Sequence, residues 1–198
     1  MMIRLQHQGC HNINIVTPSH IVPQLLKSVG IAAERGLAIP IVYNSGGYDA
    51  VPALRLLDGV VDIYMPDAKY GSNDIASALC HAPDYVDRMK EALREMHRQV
   101  GDLVIENDIA VRGLLIRHLV LPGNLAGSDQ ILPWIAGALS QNSYVNIMDQ
   151  YHPAWHTATK KDEIPFPVLR RAVSPGEYRT ALRAATACGL HRGFPPPR

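Results

Sequence analysis

Short runs of Val, Ile and Leu alternate with helix-length segments along this chain, and that alternation limits the fold more than any other feature. Asn12–Thr17, Ala38–Tyr43, Val60–Met65, Gly113–Leu121 and Tyr144–Met148 read as strands. They show little polar alternation, the pattern of strands covered on both faces. The segments 19–35, Ala50–Leu57, Pro83–Val100, Asp129–Leu139 and Pro175–Cys188 read as helices. In the longest, Pro83 suits the first turn and Tyr85, Met89, Leu93 and Met96 recur at helical spacing. Asp102–Arg112 reads as a small hairpin turning at Asn107-Asp108. Strand–helix–strand repetition yields a parallel sheet through right-handed crossovers, so the fold class is α/β.

Two architectures satisfy this pattern, a doubly wound open sheet and a barrel or partial barrel. The strands end in polar or Gly/Pro clusters: Thr17-Pro-Ser-His20, Asn44-Ser-Gly-Gly47, Pro66-Asp-Ala-Lys69, Pro122-Gly-Asn124 and Asp149-Gln-Tyr-His152. Barrels carry their sites at the carboxyl ends of many strands, whereas a doubly wound sheet gathers ligands at one switch point. The succession of clusters therefore favours the barrel.

With 198 residues, 47% of them hydrophobic, the chain is long enough for one core, and 1–198 reads as a single domain. A net charge of +1 implies no general attraction to nucleic acid or acidic membranes. No apolar run approaches the roughly 18–20 residues of a membrane span. The amino terminus lacks the apolar core of a secretion signal. Cys10, Cys80 and Cys188 are an odd number and far apart, as expected of thiols in a cytoplasmic protein.

Each cluster has a functional reading and a plain one. Asp67 and Lys69 place a carboxylate and an amine just past a strand, to anchor a ligand or to form a loop salt bridge. Asn44-Ser45-Gly46-Gly47 offers small polar groups and bare backbone to a ligand, or is simply a strand-to-helix turn. Arg117 and His118 lie in an otherwise apolar strand. Consecutive strand residues point to opposite sides, so at most one of them faces a barrel interior. His152 and His156 are four apart, but Pro153 and loop composition intervene, which argues against a helical metal pair.

Longer strings carry a resemblance. Gly9-Cys-His-Asn-Ile-Asn-Ile-Val-Thr-Pro-Ser-His20, Pro40-Ile-Val-Tyr-Asn-Ser-Gly-Gly-Tyr-Asp49, Val61-Asp-Ile-Tyr-Met-Pro-Asp-Ala-Lys-Tyr70, Glu95-Met-His-Arg-Gln-Val-Gly101, Arg112-Gly-Leu-Leu-Ile-Arg-His-Leu-Val-Leu-Pro-Gly123 and Tyr144–Met148 are similar to radical-SAM proteins related to pyruvate formate-lyase activating enzymes. The similarity runs from the first residues to about Arg192. It implies a partial TIM-like (β/α)₆ radical-SAM barrel built on a parallel sheet, with its first β/α unit missing. A missing first strand would leave an exposed sheet edge at Asn12–Thr17.

The resemblance also implies a site. In such proteins the loop after the second strand, often Gly-Gly-Glu, holds the methionyl amino group of S-adenosylmethionine. Thr17 and Ser19 stand there in this chain, without the carboxylate. Asn44 and Ser45 match the loop of the third strand, Asp67 and Lys69 the Asp-x-Lys after the fourth, Arg117 the arginine of the fifth, and His152 the histidine after the sixth. Together they would surround the cofactor's amino acid, ribose and adenine.

The family holds a [4Fe–4S] cluster by a Cys-x₃-Cys-x₂-Cys loop, and this sequence contains no such loop. The intact reaction implied is reductive cleavage of S-adenosylmethionine to a 5′-deoxyadenosyl radical, which abstracts hydrogen, with the electron supplied by a flavodoxin- or ferredoxin-type donor. The implied substrate is a glycyl-radical enzyme or another protein. Three readings stand: an activase lacking its cluster segment and inactive as it is, a non-catalytic remnant that binds S-adenosylmethionine or a partner, and a metal-dependent barrel hydrolase.

Overall fold

The computed structural model describes residues 1–154 and 165–196. Strands β1 (Ile13–Val16), β2 (Ile41–Ser45), β3 (Ile63–Pro66) and β5 (Ile109–Leu119) lie side by side, and β4 (Val104–Glu106) and β6 (Tyr144–Met148) both pair with β5. The pairing is parallel throughout except between β4 and β5. The shown architecture is therefore a mixed α/β fold with a mostly parallel six-stranded sheet. Each parallel strand lies beside its predecessor, an order that right-handed crossovers convert into helices on one face.

Register fixes which residues meet those helices. Ile41, Tyr43, Tyr64, Leu114, Ile116, Val145 and Ile147 join one buried cluster. Residues of α2 (Val22–Glu34), α3 (Val51–Arg55), α5 (Tyr85–Val100), α6 (Ser128–Ala138) and α7 (Pro175–Ala187) are among its other members. The opposite sheet face carries a smaller cluster, Val42, Ile63 and Leu103, packed by Met65, Ala110, Leu115 and Tyr144. Arg192 spans this end, donating to Leu103 O at 2.7 Å and to Asn142 O at 3.1 Å, with its guanidinium 5.8 Å from the Tyr144 ring centre. That packing occupies the amino-terminal part of the helix-free face and leaves the carboxyl-terminal part open.

The predicted elements form, with shifts that have physical causes. The strand expected over Ala38–Tyr43 begins after Pro40, which has no N–H but whose carbonyl accepts from Ile13 N at 2.8 Å. It runs on through Asn44 and Ser45 because Met65 and Pro66 lie opposite them. The strand expected at Val60 starts at Ile63, because the N–H groups of Val60 and Val61 turn back to Leu57 O. The long helix starts at Tyr85 rather than Pro83, and Tyr85, Met89, Leu93 and Met96 are all buried. Asn107 and Asp108 both take positive φ, 49° and 65°, the twist a two-residue hairpin turn needs. The hairpin's second arm continues unbroken into the central strand as β5. A short helix, α1 (Met2–His7), opens the chain, and a second, α4 (Asn73–Cys80), was not expected from the sequence. Both are too short to display periodicity, and α4 buries only Ala76.

β1 pairs with β2 alone among the described residues, and Val16 is 68% exposed, so the expected edge is open there. No described helix is long and apolar enough to cross a membrane.

Candidate functional site

Three strands deliver the chemistry. β3 ends at Pro66, but the chain keeps register past it: Asp67 N donates to Ser45 O at 3.0 Å, and Ala68 N donates to Arg117 O at 2.8 Å. Asp67 thus lies opposite Arg117 of β5, which lies opposite Asn146 of β6. Arg117 Nη2 donates to Asp67 Oδ1 at 2.7 Å and to Asn44 Oδ1 of β2 at 2.9 Å. Lys69 Nζ stands 3.5 Å from Asp67 Oδ2. Arg117 Nε is buried without a partner.

Asp67, Lys69 and Arg117 open onto a cleft of about 470 Å³, lined also by Tyr70, Leu79, Leu119, Leu121, Met148, Gln150, Tyr151 and Leu169, with Asn44 buried behind Arg117. The volume is that of a small-molecule site, apolar with a few convergent polar groups. Two cations face one carboxylate, so the cleft favours a ligand carrying an anionic group beside a cationic one. The orphaned Nε–H is a donor suited to a carboxylate oxygen, since guanidinium recognises carboxylates through more than one N–H.

The structure brings Asn44, Asp67, Lys69 and Arg117 together, and separates the rest. His152 is exposed, is hydrogen-bonded to Gln150 O at 3.1 Å, and lies outside the cleft lining. His156 lies outside the described residues. Ser45 sits on the same side of β2 as Tyr43. Ser45 Oγ donates to Asp49 Oδ2 at 2.6 Å and accepts from Gly47 N at 3.2 Å. Ser19 Oγ donates to the other oxygen of Asp49, also at 2.6 Å, and Tyr43 OH joins it at 2.9 Å. Asp49 is 5% exposed and ties the loop after β1 to the loop after β2. Its carboxylate raises the Tyr43 pKa, adding to the larger effect of burial, so that phenol stays protonated. Thr17 is exposed, in left-handed backbone at φ 52°.

Alternation resolves the Arg117–His118 pair. Arg117 points to the helix-free face, and His118 to the helix-covered one, where it is fully buried. The His118 ring bridges Ala68 O through Nδ1 at 2.7 Å and Ser128 Oγ through Nε2 at 2.8 Å. It therefore fastens the backbone between Asp67 and Lys69 to the first turn of α6. Burial pushes its pKa below the usual 6.5, partly offset by the Ala68 carbonyl. The neutral ring is the folded form. As pH falls below about 6.5 the unfolded chain gains a proton at this position that the folded chain refuses, so stability falls with pH. The stability gap between the parent and His118→Gln should therefore be smaller at pH 5.5 than at pH 7.5 in urea unfolding. A gap independent of pH refutes this.

Sequence reasoning missed Asp49, Tyr70 and Tyr151. An aspartate directly after the Gly46-Gly47-Tyr48 turn was a usable signal for the first. Tyr70 and Tyr151 reach the cleft only through the tertiary path of their loops.

No protein-family model matches the chain. Over 190 residues, 96% of its length, it is 31% identical to an uncharacterized protein of Methanocaldococcus jannaschii, and it spans about half, 50%, of that protein. In solved structures it is similar to a domain of pyruvate-formate lyase-activating enzyme from Bacteroides vulgatus. The TM-score is 0.58 at 11% identity, over 91% of this chain and 95% of that one. The chain shares its fold with that activating-enzyme domain.

Proposed function

We propose that this chain is a radical-SAM-type domain of the pyruvate formate-lyase activating kind, a partial (β/α) barrel whose cleft binds S-adenosylmethionine. The observation that carries the reading is the meeting of Asn44, Asp67, Lys69 and Arg117, from separate strand ends, on the helix-free face. Asp67 would take the ligand's ammonium, and Arg117 and Lys69 its carboxylate. Lys69 is held only loosely by Asp67 and is free to turn to a ligand. Leu119, Leu121 and Tyr70 would exclude water from the nucleoside side. When bound, S-adenosylmethionine supplies a sulfonium whose reductive cleavage furnishes a hydrogen-abstracting radical.

The residues do not fit the iron–sulfur cluster of that chemistry. No three His, Cys, Asp or Glu side chains group to hold a metal among the described residues, and Cys10, Cys80 and Cys188 remain separate free thiols. No electron-transfer step is assigned to this chain, and binding is what its cleft is equipped to do. A glycyl-radical enzyme as partner, a flavodoxin- or ferredoxin-type donor and a cytoplasmic setting follow as further parts of the proposal. The metal-dependent hydrolase reading gains no support from His152, which stands outside the cleft.

Calorimetric titration tests the reading. S-adenosylmethionine should bind at one site per chain, methionine and adenosine each more weakly, and Lys69→Ala should weaken S-adenosylmethionine about tenfold, one charge-assisted contact. Absence of binding by the parent chain at millimolar ligand overturns it.

A further inference from the structure

The pairing of Asp67 with Arg117 depends on where the backbone after β3 is held, and that backbone is held from α5. The phenol of Tyr85, in the first turn of α5 and 4% exposed, meets three main-chain groups at once. Its oxygen lies 2.9 Å from Gly46 O, 3.0 Å from Asp67 O and 3.0 Å from Lys69 N. One hydroxyl accepts from the Lys69 N–H and shares its proton between the two carbonyls. It thereby joins the loop after β2 to the loop after β3. If the hydroxyl is removed, these part-buried main-chain groups lose a partner that the two loops share.

The ring itself is fixed on two sides. Tyr48 stacks on it with ring centres 5.9 Å apart, and Tyr70, a wall of the cleft, meets its edge at 5.6 Å. Tyr48 OH is in turn hydrogen-bonded to Asp84, the residue before α5. Burial raises the Tyr85 pKa, so the phenol keeps the proton this bridge uses.

We infer that Tyr85 is a positioning residue of the cleft, acting through the backbone of Asp67 and Lys69 to set the Asp67–Arg117 pair for a zwitterionic ligand. The inference rests on the proposed binding of S-adenosylmethionine for its ligand, but not for its geometry. Tyr85 touches no ligand-facing space in the cleft lining, so its effect reaches the ligand only through Asp67 and Lys69.

Nuclear magnetic resonance of the chain separates the two questions. Tyr85→Phe should move the Arg117 Nε–H and Lys69 amide signals and speed their exchange with water. It should also weaken S-adenosylmethionine about tenfold, the equivalent of one hydrogen bond. Tyr64→Phe is the comparison, because it too deletes a buried phenol bond, that to Gln99 Oε1 at 2.6 Å, on another part of α5. It should leave both signals in place. Tyr48→Ala removes a partly exposed ring and preserves the fold if Tyr85→Phe does not; it should shift the same signals in the same direction by less. Unchanged Arg117 and Lys69 signals in Tyr85→Phe, or equal shifts in Tyr64→Phe, overturn the assignment. If the parent chain binds no S-adenosylmethionine, the proposed function fails while the Arg117 and Lys69 signals still decide the role of Tyr85.

Discussion

Gly47→Ala is expected to lower the melting temperature by roughly 10 °C and to abolish ligand binding in the cleft. A Cβ at this position would stand 2.2 Å from Asp67 O and 3.3 Å from Asp67 C, and both are backbone atoms with no rotamer to yield. The residue also has φ +75°, which costs a non-glycine residue about 1–3 kcal/mol by itself. Overlap with backbone adds to that strain, for a total of about 3 kcal/mol or more, near 3 °C per kcal/mol for a chain of this size. The loops after β2 and β3 must then part, and Asp67 moves away from Arg117. Gly30→Ala is the control: nothing lies within 4 Å of its would-be Cβ, and it sits inside α2. That change should stabilise the chain by up to about 1 kcal/mol. Thermal unfolding of the two variants beside the parent is the measurement, and a Gly47→Ala protein within 1 °C of the parent contradicts the close approach described for these loops.

Arg117→Ala is expected to weaken S-adenosylmethionine about a hundredfold while costing about 1 kcal/mol of stability. The affinity loss corresponds to about 2.7 kcal/mol, within reach of one or two hydrogen bonds to charged groups. The smaller stability cost follows from exposure: the side chains of Arg117 and Asp67 are 27% and 21% exposed, so water takes over part of the lost pairing. Asp67 would keep only Lys69, 3.5 Å away and itself 44% exposed. Arg117→Lys restores the charge but neither the Nε–H nor the planar fork whose Nη2 reaches both Asp67 and Asn44, and should recover less than a tenth of the affinity. Calorimetric titration of the three proteins decides the matter. Full binding by Arg117→Lys would reduce the site to a simple positive charge, and unchanged binding by Arg117→Ala would remove the residue from it.

Much of the helix-covered half of this protein was legible in its sequence. Apolar residues at a spacing of three to four give α5 one buried face whatever surrounds it, and uninterrupted β-branched runs give buried parallel strands. Strand alternation likewise required Arg117 and His118 to part, because successive side chains leave the backbone on opposite sides. Element ends were less legible, since they depend on which N–H groups find partners in a neighbouring strand: Val60 and Val61 are as apolar as Ile63, yet their N–H groups turn back to Leu57.

The site divides in the same way. Asp67, Lys69 and Arg117 belong to strand ends that local pattern identifies, so they were accessible as candidates, and Ser45 was equally plausible as the neighbour of Asn44. Which of that pair meets Arg117 depends on the register of β2 in the sheet, a property of neighbouring strands together. The distinction between a ligand-facing arginine and a structural histidine at adjacent positions likewise needs to know which sheet face the helices cover. Roles carried by backbone contacts were beyond sequence altogether. Tyr85 reads as one more apolar position of an amphipathic helix, and only the folding of two distant loops onto its hydroxyl brings Gly46, Asp67 and Lys69 within 3.0 Å of one oxygen atom. Sequence determines each segment's preference through short-range sterics and hydrophobic period, whereas the cleft arises where chain segments far apart in sequence share hydrogen bonds that none can complete alone.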